Sequence, residues 1–177
     1  MQEDFRQRLF APQLGPCVCS QVRKLARKLS SLYDAFLAPA GLTITQFSLL
    51  VHIARAGQLG HTLLAEKVGM ERTTLTRNLR PLTRAKLVIT ATGLDRRQHL
   101  LQLTAAGKRK LVRSLPLWEK AQRQFLAHID SELMRDFNDL LGSAESAATK
   151  AFTVNQENPK AARLSARKES TYASRSN

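Results

Sequence analysis

Cysteine is scarce in this chain: Cys17 and Cys19 are the two present in 177 residues. That is too few, and too closely spaced, for the disulfide framework of a small secreted scaffold. Long hydrophobic runs are missing as well. The longest apolar stretch, residues 47–54, is interrupted by Ser48 and His52, so no membrane-spanning helix is predicted. The first residues pass from acidic to basic without an apolar segment, which argues against a secretory signal and makes the cytoplasm the expected location. There is no glycine-rich phosphate loop, no nucleophile elbow and no credible pair of carboxylates, so neither an enzyme nor a cofactor is expected. His52, His61, His99 and His128 lie scattered, without the spacing of metal ligands.

Acidic side chains are the other shortage. Asp and Glu number 14 against 28 Lys and Arg, for a formal charge of +14. Hydrophobic residues at 43% make this a globular chain and not a disordered polycation. The imbalance is local. Residues 71–113 carry 11 basic and 2 acidic side chains, whereas residues 114–154 carry 4 basic and 6 acidic. A compact basic block of this kind suits a phosphate backbone. A merely solvated surface is the alternative, and charge alone separates the two poorly.

Apolar periodicity orders the chain. A first helix is predicted over residues 18–38, with Val22, Leu25, Leu29, Leu32 and Phe36 on one face and Arg23, Lys24, Arg27 and Lys28 on the other. A second starts at Thr43, where Thr43 and Gln46 have capping-box spacing and Leu42 and Phe47 occupy the staple positions. A short helix over 61–68 ends at Gly69, and another spans 72–85. Residues 87–91 and 99–103 read as two strands, joined by a loop containing Arg96 and Arg97. A helix capped by Thr104 carries Leu111, Leu115, Trp118, Phe125 and Ile129, with a kink expected at Pro116. A last helix begins at Asp130 or Ser131. The predicted class is mainly α with a small β-hairpin: a winged helix-turn-helix core with additional helices at both ends. The division is an N-terminal arm (1–16), dimerisation helices (17–40 and 105–152), a winged domain (41–104) and a basic tail (153–177) expected to be disordered. The outer helices carry apolar stripes that the winged core can bury only in small part, which calls for a second copy of the chain.

Helix 72–85 has the clearest division of labour. Leu75, Leu79 and Leu82 share one stripe; Thr73, Arg77, Arg80 and Arg84 oppose it, flanked by Thr74 and Thr76. No acid occurs between Arg72 and Leu94. Threonines can approach base edges and arginines can grip guanine or phosphate, so this face suits a major groove of double-stranded DNA. Arg96 and Arg97 suit a narrow minor groove. Pro81 inside the helix predicts either a bend or a shifted register.

These residues match a family pattern. Gly41-Leu42-Thr43 leads to Gln46-Phe47, and Leu64-Ala65-Glu66-Lys67-Val68-Gly69 precedes Arg72-Thr73-Thr74-Leu75-Thr76-Arg77-Asn78-Leu79. Asp95-Arg96-Arg97 is followed by Leu103-Thr104 and Gly107. Over residues 18–150 the chain resembles the MarR family of bacterial transcription regulators. The resemblance implies a homodimer with interleaved terminal helices, bound to a pseudo-palindromic site. It implies Thr73, Thr74, Thr76 and Arg77 in the major groove, and Arg96 and Arg97 in the minor groove. It also implies release by a small aromatic or phenolic effector. The first, second and fifth helices are its expected lining, with Arg27 and Tyr33 as polar anchors.

Cys17 and Cys19 open the first helix, where positions i and i+2 diverge too far for an unstrained bridge. A helix N-terminus favours a nucleophilic thiolate. In the peroxide-sensing branch of the family, a reactive cysteine stands where Cys19 falls and a tyrosine where Tyr33 falls; Arg23 and Phe47 occupy positions where other hydroxyls would stand. Three readings therefore compete: a ligand-responsive repressor, a thiol-based redox regulator using Cys19, and a non-specific nucleoid-coating protein.

Overall fold

A computed structural model gives the fold, describing residues 15–92 and 99–157. The chain divides between Gln124 and Phe125 into two compact units. In the first, α1 (Val18–Leu37) runs into a 3-10 turn (Ala38–Ala40), and α2 (Ile44–Ala56) follows. The predicted capping box is present: Thr43 Oγ1 accepts the Gln46 N–H at 3.2 Å, and Gln46 Oε1 accepts the Thr43 N–H at 3.1 Å. Asp34, reaching from α1, accepts the Ile44 N–H at 2.6 Å. The start of α2 is thus held from two sides, which satisfies orphan donors of its first turn.

Next come β1 (Gln58–Gly60), α3 (His61–Lys67), α4 (Arg72–Arg84), β2 (Val88–Thr92), β3 (His99–Leu103) and α5 (Ala105–Leu126). The strands form an antiparallel sheet in the order β1-β3-β2. Val88 pairs with Leu103 at the base of the hairpin and Thr92 with His99 at its far end, while Leu59 pairs with Leu101. Strand β1 escapes periodicity: three residues show no alternation, and only pairing with β3, forty or more positions later, makes them a strand.

One core serves these elements. Leu49, Leu50 and Ile53 of α2, Leu64 of α3, Leu75, Leu79 and Leu82 of α4, Val88 of β2, Leu101 and Leu103 of β3 and Leu111 of α5 are all buried. Leu37 brings the end of α1 into it. Phe47 and Trp118 stack with centroids 6.0 Å apart, joining α2 to α5.

Both internal prolines are absorbed. Helix α4 continues through Pro81 and keeps the expected register, with its leucines inward. Helix α5 likewise continues through Pro116 and ends at Leu126, short of Ile129. Each proline deprives a carbonyl four residues earlier of its helical donor. Arg77 and Val112 carry those carbonyls and both are exposed, so water can replace the missing bond.

The second unit contains α6 (Ser131–Glu157). Asp130 Oδ1 accepts the Glu132 N–H at 2.7 Å at its start. The helix extends beyond residue 152, into the segment assigned to the tail. Leu133, Leu140, Leu141 and Phe152 are exposed in the single chain. The N-terminal arm before residue 15 and the tail after 157 lie outside the described residues.

Candidate nucleic-acid interface

The link between α3 and α4 is a tight turn fixed by backbone geometry. Gly69 adopts φ 61°, a left-handed conformation that an L side chain resists. Its N–H donates to Glu66 O at 3.1 Å, and the Met70 N–H to Ala65 O at 2.9 Å. This double closure is a Schellman end, and it turns the chain directly into α4.

The same closure ends α4. The Lys86 N–H donates to Thr83 O at 3.0 Å and the Leu87 N–H to Leu82 O at 2.9 Å. Here the left-handed position is held by Lys86, at φ 53°. Thr104 then ties the start of α5 to this turn: its hydroxyl donates to Lys86 O at 2.7 Å, and its N–H donates to Leu87 O at 3.0 Å. Helix α4 is therefore held by a closed turn before it and a braced turn after it.

Between these points α4 has two faces. Leu75, Leu79 and Leu82 are at most 4% exposed. Burying each contributes about 2 kcal/mol, which sets the helix's rotation about its axis. That rotation leaves Thr73, Thr76, Arg77, Arg80 and Arg84 exposed together, with Thr74 half-buried beside them. The Thr76 hydroxyl donates to Arg72 O at 2.8 Å, so it presents acceptor lone pairs outward. Among the described residues no carboxylate pairs with Arg77, Arg80, Arg84 or Lys86. The face offers guanidinium donors and hydroxyl acceptors, with no acid paired to them among the described residues. Arg96 and Arg97, predicted at the hairpin tip, lie outside the described residues.

Sequence reasoning counted Lys86 in the basic block without giving it a place. Its positive φ was not legible, because the residue type that signals such a turn is glycine.

Cys17 is the N-cap residue of α1 and Cys19 lies in its first turn; both thiols are free and exposed. Arg27 is exposed on α1. Tyr33 donates its hydroxyl to Gln122 Oε1, linking α1 to α5. Burial raises the Tyr33 pKa above its ordinary value, because the phenolate would lose water. The folded chain therefore keeps this proton to higher pH than the unfolded one. Its contribution is fully present below the unfolded value, about pH 10, and is lost as pH rises through the folded value. Tyr33→Phe is expected to flatten the alkaline fall in stability, measured as urea midpoints near pH 8 and pH 10.5, relative to the parent chain. A parallel fall in both chains would contradict this.

Neither Arg27 nor Tyr33 lines the cavity that α2 and α5 enclose. That cavity, about 310 Å³, is bounded by Ile44, Phe47, Ser48, Val51, Arg55, Leu115 and Trp118. A second cleft, of about 410 Å³, is lined by His52, Arg55, Ala56 and Lys67. His52 is half-buried in that cleft. Among the described residues no group of His, Cys, Asp and Glu is placed to hold a metal ion. Among the same residues no single helix is long and apolar enough to cross a membrane.

No family profile matches the chain, and no curated protein does. Solved structures do. The Mycobacterium tuberculosis transcriptional regulator MosR in complex with DNA is 39% identical, with a TM-score of 0.64, over 75% of this chain and 98% of that one. A mutant of Escherichia coli MarR complexed with operator DNA is 20% identical, with a TM-score of 0.67, over 72% of this chain and 92% of that one. Wild-type MarR from the same organism, 20% identical, gives a TM-score of 0.61 over 73% of this chain. At that identity the two MarR structures speak for the shared winged helix-turn-helix fold. MosR matches in sequence along nearly its whole length, and on that ground the chain belongs to the MarR family of transcriptional regulators.

Proposed function

We propose that the chain acts as a homodimer that reads a pseudo-palindromic DNA site and leaves it when a small molecule binds. The observation that carries this is the α4 surface: threonines and arginines exposed on one face, no carboxylate paired with them among the described residues, and three buried leucines fixing its orientation. MosR, the 39% identical relative, was solved on DNA. Arg96 and Arg97 enter the reading from the sequence, as minor-groove contacts.

Dimerisation is supported by apolar side chains that the single chain leaves in water. Val18 and Val22 of α1 are 68% and 50% exposed, and Val112 of α5 is 64% exposed. Leu140 and Phe152 add to this on α6. Apolar exposure on several helices is the mark of a surface that meets a partner. Two-fold symmetry would set the two α4 helices about 34 Å apart, one duplex turn.

Release by an effector is supported by the α2–α5 cavity, which is apolar, floored by the Phe47–Trp118 stack and edged by one arginine. It is a better ligand site than the surface around Arg27 and Tyr33, where the tyrosine hydroxyl is already engaged. The thiol-based alternative rests on the exposure of Cys17 and Cys19. A Cys19→Ser chain that still leaves DNA on peroxide treatment would set it aside.

Fluorescence anisotropy with the inverted repeat nearest the gene, against a scrambled duplex at physiological salt, tests the main reading. Specific recognition predicts a preference of about 10³ or more. Equal affinity for both duplexes would instead support non-specific coating of DNA.

A further inference from the structure

We propose that Tyr33 and Asp34 are positioning residues that set the separation of the two α4 helices, and with it the half-site spacing that the dimer accepts. The proposal rests on the dimeric reading above and assigns its spacing to two side chains of α1. Burial along that helix is one-sided. Every residue from Val18 to Lys28 is exposed in the single chain, and Leu37, at the far end, is the one buried residue of α1. Helix α1 is therefore a rod held to its own chain at one end. Val18 and Val22 are exposed at the other, where a second copy would meet it.

Three contacts make the hold. Leu37 enters the core. The Tyr33 hydroxyl donates to Gln122 Oε1 of α5. Asp34 Oδ1 accepts the Ile44 N–H, at the start of α2, at 2.6 Å. At about 100° per residue, Tyr33 and Asp34 point to opposite sides of Leu37, roughly 40° and 60° away from it. One bond runs to α5 and the other to α2. Leu37 alone prevents withdrawal of α1 but, as a single point of contact, leaves it able to pivot; the two flanking bonds remove the pivot. Tyr33, Asp34 and Gln122 are all half-buried, so water competes poorly for these bonds. The Asp34 bond is also charge-assisted and lies at a helix N-terminus, where a carboxylate is favoured.

The length of the rod magnifies any change at its anchor. From Val18 to Tyr33 the rise is about 22 Å, so a tilt of about 10° at the anchor moves the far end by about 4 Å. One base pair moves a half-site by about 3.4 Å. A loosened anchor is thus equivalent to about one base pair of spacing, and a firm anchor refuses it. A competing role is plain stabilisation, in which the two bonds hold α1 in place whatever the DNA. That role alone predicts equal losses at every spacing.

Three duplexes separate the cases: the same inverted repeat at its native spacing, with one base pair added to the spacer, and with one removed. A duplex holding a single half-site is the reference. In anisotropy titrations, the full-length chain is expected to bind both altered spacings about tenfold or more weakly than the native one, since each forces the duplex to twist or stretch. Tyr33→Phe and Asp34→Ala should each reduce that penalty to about threefold, with affinity for the single half-site within about twofold of the parent. Asp34→Asn keeps an acceptor for the Ile44 N–H and should retain the parent's penalty, while thermal melts confirm folding. A penalty unchanged in Tyr33→Phe and Asp34→Ala, or losses equal at all three spacings, would overturn the proposal and leave the dimeric reading intact. A parent chain indifferent to spacing would overturn both.

Discussion

Gly107→Ala is expected to destabilise the chain by about 3 kcal/mol or more, lowering its melting temperature by roughly 10 °C. A Cβ at this position would lie 2.1 Å from Leu87 O and 3.0 Å from Leu87 C, both backbone atoms. No rotamer change relieves such a contact. The surrounding bonds make relaxation harder. The Gly107 N–H donates to Thr104 Oγ1 at 3.0 Å, and Thr104 is bonded in turn to Lys86 and Leu87. Separating α5 from this turn would break those bonds and shift the end of α4, so DNA affinity should fall with stability. Gly142→Ala is the control. It lies inside α6 with nothing within 4 Å of the added methyl, and should be neutral or stabilising by up to about 1 kcal/mol. If Gly107→Ala melted with the parent chain, the close approach of α5 to the α4–β2 turn would be wrong.

Arg77→Ala is expected to weaken binding to the cognate duplex by about 1–3 kcal/mol, roughly 5- to 150-fold. Affinity for a scrambled duplex should fall much less. Arg77 is exposed in the middle of α4 and pairs with no carboxylate among the described residues, so its removal should leave the melting temperature nearly unchanged. Arg84→Ala, at the helix end, should instead weaken both duplexes alike and reduce the salt dependence by about one phosphate contact. Anisotropy titrations at several salt concentrations distinguish the two. Equal losses on cognate and scrambled duplexes for Arg77→Ala would move this residue from base reading to phosphate holding.

Much of the architecture is written locally. Thr43 and Gln46 announce the start of α2 because a capping box needs only residues three apart, and the structure shows both of its hydrogen bonds. Leu75, Leu79 and Leu82 announce the inner face of α4 through spacing alone. Pro81 does not end α4, and the register keeps the leucines inward. Its penalty is real, but the carbonyl it strands is on the exposed face, where water can serve.

The family pattern Thr104 to Gly107 was visible as letters; its reason was not. Thr104 caps α5 and bonds the preceding turn, and Gly107 leaves room for Leu87 O. The turn residue Lys86 and the strand β1 carried no usable sign, since one adopts a glycine-like conformation without being glycine and the other exists only by pairing with β3.

What the order of amino acids determined by itself was the set of helices, the inward face of α4 and the concentration of positive charge near it. Those features depend on neighbours within a turn or two and on a simple count of charges. Tertiary structure alone decided that Arg55 stands between an apolar cavity and a cationic cleft, and that α5 presses on Leu87. Such relations join residues far apart in the chain, and no local period or charge count encodes how distant surfaces meet when the core closes.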